Sequence, residues 1–160
     1  MVEDVVIKPD GKQDTYSYAE TPDQSVFIVA LTDKNKVYLV GQYRYPGGHY
    51  SWELPGGGCD GDEVLIAAGR ELLEETGLTA KKWQIAGHFV AMNGVCAELT
   101  NVLIAQDLAQ TDKSKIDKEI TEVKKVKFDE VLKMIEENKI TDGQSIAALM
   151  KARLFLGKKS

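Results

Sequence analysis

Three glutamates crowd one short stretch of this chain: Glu71, Glu74 and Glu75. Residues 63–76 have helical periodicity, with Asp62 in N-cap position and Gly77 where a left-handed C-terminal cap belongs. At about 100° per residue the three carboxylates share an arc of roughly 100°, while Leu65, Ile66, Gly69, Leu72 and Leu73 fall on the opposite side. Like charges at these spacings mildly destabilise a helix, and acids near its C-terminus oppose its dipole, so a cation should compensate them. Arg70, four residues before Glu74, offsets one charge, but one guanidinium cannot satisfy three carboxylates. Hard oxygen ligands at this density suit Mg²⁺ or Mn²⁺. The plainer reading of this helix alone is a solvated acidic face carrying an Arg–Glu pair.

Gly56, Gly57 and Gly58 form a bend before the helix. With Gly61 they also spell G-x-G-x-x-G after a strand, the fingerprint of a dinucleotide pyrophosphate site. Asp60, Asp62 and Glu63 crowd that helix end with negative charge, and no strand ending in an acid follows about 20 residues on, which counts against it. The Gly-Lys-Ser/Thr of a P-loop is missing as well.

Residues 56–78 read GGGCDGDEVLIAAGRELLEETGL. This resembles the Nudix box of hydrolases of nucleoside diphosphates linked to another group, G-x5-E-x7-R-E-U-x-E-E-x-G-U with U bulky aliphatic. Gly56, Arg70, Glu71, Leu72, Glu74, Glu75, Gly77 and Leu78 match at the required spacing. One position departs: Asp62 stands where the box has its first Glu, with Glu63 out of register by one, so the charge survives and the reach shortens. Outside the box, Gln42-Tyr43-Arg44-Tyr45-Pro46, Trp52-Glu53-Leu54-Pro55-Gly56-Gly57 and Asp142-Gly143-Gln144-Ser145-Ile146-Ala147-Ala148-Leu149 resemble the ADP-ribose pyrophosphatase branch of that family, and the hairpin around Pro9-Asp10-Gly11 fits it too.

The resemblance implies an α/β/α sandwich with a mixed central sheet, usually a homodimer whose N-terminal strands, about residues 1–20 here, help form the partner's adenine or sugar pocket. It implies cleavage of the pyrophosphate of a nucleoside diphosphate sugar into a nucleoside monophosphate and a sugar phosphate. Carried over, Glu71 and Glu75 are the chief Mg²⁺ ligands, Glu74 is a further ligand or water orienter, and the Gly56 carbonyl completes the inner shell. Arg70 holds the helix carboxylates by pairing. Arg44 contacts the substrate diphosphate, where a planar guanidinium offers two parallel hydrogen bonds. Glu53 joins it on the substrate-binding side, and Tyr43 and Trp52 are candidates to stack on a base or sugar, core packing being the plainer role for at least one of them. A further glutamate acting as base often comes from loops after the box; the candidates are Glu98, the only carboxylate between Glu75 and Asp107, and Glu119, with Glu74 a third. Dinucleoside polyphosphates, nucleoside triphosphates and a non-catalytic nucleotide-sensing module are the alternatives the residues leave open.

The elements that must position these groups belong to an ordinary globular composition. In 160 residues, 43% are hydrophobic and 28% charged, with 20 basic and 25 acidic side chains and a net charge of −5. That length predicts one domain over residues 1–160. The longest apolar run, Val26 to Leu31, is too short to cross a bilayer, and the acidic start Met-Val-Glu-Asp lacks the basic region of a secretory signal, so a cytoplasmic place is expected. Cys59 and Cys96 have no CxxC spacing, which predicts two reduced thiols. A negative chain without a basic stripe argues against a nucleic-acid partner, so a phosphate substrate needs a divalent cation to bridge the charges.

The pattern predicts strands at 4–8 and 14–18 around the Pro9-Asp10-Gly11 turn, then at 25–32 and 37–42, as two successive hairpins. Residues 43–50 read as a loop and 51–54 as a short strand ending at Pro55. After the acidic helix, strands are expected at 83–89, 97–105 and 119–128, and helices at 129–137 and 144–156, with the charged stretch 112–125 as a solvated connection and strand face. Strands and helices mix without strict alternation, which makes the class α+β or mixed α/β.

Overall fold

In strand β3 (Ser25–Ala30) every residue is buried, so it needs cover on both faces. The computed structural model, which describes residues 1–21, 23–111 and 116–158, supplies that cover. β3 lies inside a four-stranded mixed sheet, between two neighbours. It runs parallel to β9 (Leu99–Gln110) and antiparallel to β6 (Gly56–Gly58), while β7 (Leu78–Val90) is antiparallel to β9. On one face, Ala67, Ala68 and Leu72 of helix α1 (Val64–Thr76) pack on Val26, Ile28, Ala30, Leu103 and Ala105. On the other, Phe27, Val29, Val102 and Ile104 meet Val131 of α2 (Phe128–Glu136) and Ala148, Leu149 and Ala152 of α3 (Gly143–Gly157). Helices therefore flank a mixed sheet on both sides, the expected α/β/α layering in an α+β chain.

Val37 and Leu39 carry the second core cluster into an antiparallel sheet of order β10-β4-β5, built from β4 (Lys36–Arg44), β5 (His49–Glu53) and β10 (Ile120–Lys127). A third sheet joins the hairpin β1 (Val2–Ile7) and β2 (Gln13–Glu20) to the two-residue strand β8 (Cys96–Ala97). Its turn carries Gly11 at φ +81°, a conformation open to glycine without strain.

Three expectations need correction. The second hairpin does not form: β3 and β4 share only the bridge Leu31↔Val37 and part into different sheets, because β6 and β9 already occupy both edges of β3. Residues 43–50 are not all loop, since β4 runs through Arg44 and pairs it with His49 across a turn of residues 45–48. The buried face of α1 is rotated from the expected one: Leu65 and Ile66 are 50% and 60% exposed, and the buried residues are Ala67, Ala68, Glu71, Leu72 and Thr76. Two alanines let the helix axis come close to β3, where bulkier side chains would hold it off. Residues 112–115 of the charged stretch lie outside the described residues.

No helix among the described residues is long and apolar enough to cross a membrane, which says nothing of a β-barrel. Cys59 and Cys96 are both free and buried.

Candidate active site

The glycine bend is the short strand β6, held against the edge of β3 by the pairs Val26↔Gly57 and Phe27↔Gly56. A Cβ at Gly56 would stand 2.3 Å from the Val26 carbonyl oxygen, and one at Gly57 would stand 2.7 Å from the Glu71 carboxyl. Bare backbone is therefore what allows α1 to bring its acids under this turn. Gly57→Ala is expected to keep the fold but displace Glu71, lowering turnover about tenfold or more; activity of a variant that still unfolds cooperatively checks this.

Glu71 is 9% exposed. Arg70 Nη1 donates to its Oε1 at 2.6 Å, and Nη2 donates to the Gly58 carbonyl at 2.8 Å. The same guanidinium lies 3.4 Å from Asp60 Oδ2, 3.5 Å from Asp62 Oδ2 and 3.6 Å from Glu74 Oε2. Asp62 is thus not the N-cap: Glu63 occupies that position without a side-chain bond, and Asp62 turns towards Arg70. At the other end Gly77 caps as expected, at φ +68° with its N–H donating to the Leu73 carbonyl.

Arg70 is spread over these partners, and no ion pair links it to Glu75 among the described residues. The Glu75 Oε2 accepts the Gly56 N–H at 2.9 Å. Burial pushes its carboxyl up to about 8; the Gly56 N–H and Arg44 pull against that, while Glu71 and Glu53 push further the same way. Burial raises Glu71 as well, against the downward pull of Arg70. Two partly buried carboxylates one helical turn apart, with too little positive charge between them, match the demand of a hard cation.

Among the described residues, no three Asp, Glu, His or Cys side chains converge into a complete cation cage. A hard divalent cation held by only one or two carboxylates keeps several waters of its own. Glu71 and Glu75, with the Gly56 carbonyl, are the groups that could hold it; Glu74 is exposed.

Facing this acid pair is a second cluster. Arg44 Nε donates to Glu53 Oε1 at 2.9 Å and Nη2 to Oε2 at 2.5 Å, a forked pair that holds the guanidinium above its ordinary range. Gln42 Nε2 donates to the same carboxylate at 3.3 Å. The strand register explains this: Gln42 pairs with Ser51 and Arg44 with His49, so alternate residues of β4 and β5 share one face.

Tyr43, on the other face, is 60% exposed. Trp52 is half-buried and packs on the core, with Tyr50 edge-on at 5.7 Å and Lys124 Nζ 4.2 Å from its ring centre. Of the two aromatics, Tyr43 is the one with a free ring.

Three adjoining clefts surround Arg44 and the start of α3. One of about 650 Å³ is lined by Arg44, Glu53 and Asp142–Gln144. A second, about 490 Å³, shares Asp142–Gln144 and adds Phe89, Met92 and Glu98. The third, about 400 Å³, puts Glu119 beside Tyr43, Arg44 and Tyr45. Glu98 and Glu119 thus sit in different clefts.

Sequence reading missed Ser145, whose hydroxyl accepts the Leu54 N–H, and the cap that Asp142 makes on the Ser145 N–H. The spacing Asp142-x-x-Ser145 ahead of an apolar run was the available signal.

A Nudix box carried on α1, with its glycine turn paired to the central sheet, defines a nucleotide-hydrolase scaffold. The NUDIX domain model matches residues 21–149, and the chain belongs to that family. It is 33% identical over 156 residues to the ADP-ribose pyrophosphatase of Bacillus subtilis (strain 168), covering 96% of this chain and 83% of the relative. It is 28% identical, with the same coverage, to a methanol dehydrogenase activator of Bacillus methanolicus. Among solved structures, an ADP compounds hydrolase superposes with a TM-score of 0.85 at 20% identity, covering 98% of this chain and 85% of that one, a likeness of fold.

Proposed function

We propose that this NUDIX protein is a Mg²⁺-dependent pyrophosphohydrolase that cleaves the diphosphate of a nucleoside diphosphate sugar such as ADP-ribose. Water adds across one P–O–P bond, giving a nucleoside monophosphate and a sugar phosphate. The observation that carries the reading is the meeting of two unlike groups: the partly buried Glu71–Glu75 pair under Gly56, and the forked Arg44–Glu53 pair beside it. The names of the Bacillus subtilis relative and of an ADP-ribose pyrophosphatase from Mycobacterium tuberculosis, 38% identical over 88 residues, support the choice of substrate; that alignment covers 54% of this chain and 42% of the relative.

Bound Mg²⁺ supplies charge neutralisation of the diphosphate and an acidified water; Mn²⁺ fits the same oxygen donors. Glu71, Glu75 and the Gly56 carbonyl would hold the ion, and Arg70 keeps Glu71 turned inward while pairing with the exposed Glu74 at 3.6 Å. Arg44, locked by Glu53, presents its remaining N–H groups to the diphosphate. Tyr43 offers a ring to the base or sugar, whereas Trp52 supports β5 from behind. A proton leaving the attacking water goes to Glu98, Glu119 or Glu74; positioned base catalysis is worth roughly 10²- to 10⁴-fold, so losing the true base cripples turnover without erasing it.

The deciding experiment incubates the protein with Mg²⁺ and a panel of ADP-ribose, other nucleotide sugars, dinucleoside polyphosphates and nucleoside triphosphates, and identifies the products. Fastest cleavage of a nucleotide sugar is expected. Faster cleavage of polyphosphates or triphosphates would move the substrate class, and silence throughout would leave a nucleotide-sensing module.

The 160 residues act as one domain in this reading, since both core clusters share β3 and β9. The chain is proposed to work as a homodimer in the cytoplasm, without a nucleic-acid partner. The hairpin β1–β2 supports the dimer: Val5 and Ile7 are 67% and 69% exposed, and neither core cluster includes a residue from it. A hairpin without a core of its own gains stability only against another surface. Charged substitutions at Val5 and Ile7 are expected to shift the protein from dimer to monomer in light scattering; unchanged mass would rule this surface out.

A further inference from the structure

β5 ends at Glu53, and the next backbone N–H, on buried Leu54, must find an acceptor beyond the strand. It finds the Ser145 hydroxyl, 2.9 Å away and 91 residues further along the chain. Ser145 is 0% exposed and lies in the first turn of α3. There its own N–H donates to Asp142 Oδ2 at 2.7 Å, which fixes the turn and with it the hydroxyl.

This bond falls between the two halves of the site. One residue before Leu54, Glu53 grips Arg44; two residues after it, Gly56 donates to Glu75 at 2.9 Å. Pro55, in the middle, fixes its carbonyl by accepting the Ile28 N–H at 2.8 Å. The segment 53–56 is thus tied to the central sheet on one side and to α3 on the other, and what it carries is the spacing between the guanidinium and the buried acids.

We infer that Ser145 is a positioning residue for the hydrolysis, its hydroxyl setting where residues 53–56 hold Arg44 relative to the Glu71–Glu75 pair. The inference rests on the hydrolase reading above. A serine that merely anchored α3 would affect stability alone; a serine that sets this spacing affects magnesium and substrate together.

The test compares Ser145→Ala and the size-conserving Ser145→Cys, a weaker acceptor, with Val131→Ala, a truncation on α2 in the same core cluster as Ala148 and Leu149. Thermal midpoint, kcat, KM for ADP-ribose and the Mg²⁺ concentration at half-maximal rate are measured for each. Ser145→Ala is expected to raise KM and the Mg²⁺ requirement together by about three- to tenfold and to lower kcat about tenfold, since small misplacements at a reacting centre cost that much and more. Ser145→Cys should fall between it and the wild type. Val131→Ala should lower the thermal midpoint and leave the other three values alone. Wild-type kinetics and Mg²⁺ requirement in Ser145→Ala overturn the inference; if that variant does not fold, wild-type values in Ser145→Cys overturn it. A wild-type protein inactive on the whole panel overturns the hydrolase reading instead. Calorimetric Mg²⁺ binding to wild type and Ser145→Ala then decides the inference, equal affinities sinking it.

Discussion

Glu75→Gln is expected to lose about 10²- to 10³-fold in Mg²⁺-dependent hydrolysis, the size of several kcal/mol of charge stabilisation removed from the transition state. The substitution keeps the side-chain volume and leaves an amide oxygen to accept the Gly56 N–H, so the turn and helix should stay in place. Its signature is a loss of activity without loss of stability. With the metal chelated, the sign even reverses with pH. In the folded chain Glu75 ionises only near 8, against 4.5 as its ordinary value, so the folded state binds its proton more tightly than the unfolded one. Below about 4.5 the group is protonated in both states and costs nothing; between there and about 8 the wild type loses stability as pH rises. Glu75→Gln lacks that loss. Thermal unfolding in chelator at pH 5 and pH 8.5 should show the variant gaining on the wild type at the higher pH, and saturating Mg²⁺ should cancel the gain. A variant that binds Mg²⁺ and turns over like the wild type would remove Glu75 from the cation site.

Arg44→Ala should be the other large effect, because it strikes stability and substrate binding at once. Glu53 is 3% exposed, and the change strips it of its forked partner, leaving Gln42 at 3.3 Å. Stranding a buried carboxylate costs about 2 kcal/mol once the half-exposed position of Arg44 is allowed for, which is roughly 4–8 °C in Tm for a chain of this length. Separately, KM for a nucleotide sugar should rise about 10- to 100-fold, the worth of a charge-assisted contact to the diphosphate. Arg44→Lys keeps the charge and loses the fork, so it should recover part of the stability and little of the KM. A double variant with Glu53→Gln separates the effects: it relieves the stranded charge and restores Tm, but not KM. If KM stayed at the wild-type value throughout, Arg44 would be a strut for β5 and nothing more.

Local rules placed the three acids on one helix before any fold was known, and the resemblance to the Nudix box gave that placement its chemistry. Glycine spacing, the acids one turn apart and Gly77 as a left-handed cap are properties of a single helix and its flanks, and 3.6 residues per turn suffices to derive them. The strand expected at 25–32, found as Ser25–Ala30, was equally plain, since the unbroken apolar run Val26 to Leu31 admits few other placements.

Partners were another matter. Which strand pairs with which depends on edges left open elsewhere: β6 and β9, the latter some 70 residues after β3, take both edges of β3 and leave none for a hairpin with β4. Which side of α1 is buried depended on how near β3 its two alanines could bring it, so Leu65 and Ile66 ended in solvent while Glu71 went under the turn. Asp62 lost its cap role to Arg70, a competitor no local pattern ranks. The sequence alone determined which acids are candidates for a cation and which guanidinium is a candidate for a diphosphate. The tertiary structure decided how far apart they stand, because that distance is set by long-range hydrogen bonds such as Leu54 to Ser145, and burial, which raises the Glu75 carboxyl, exists only once the layers have closed.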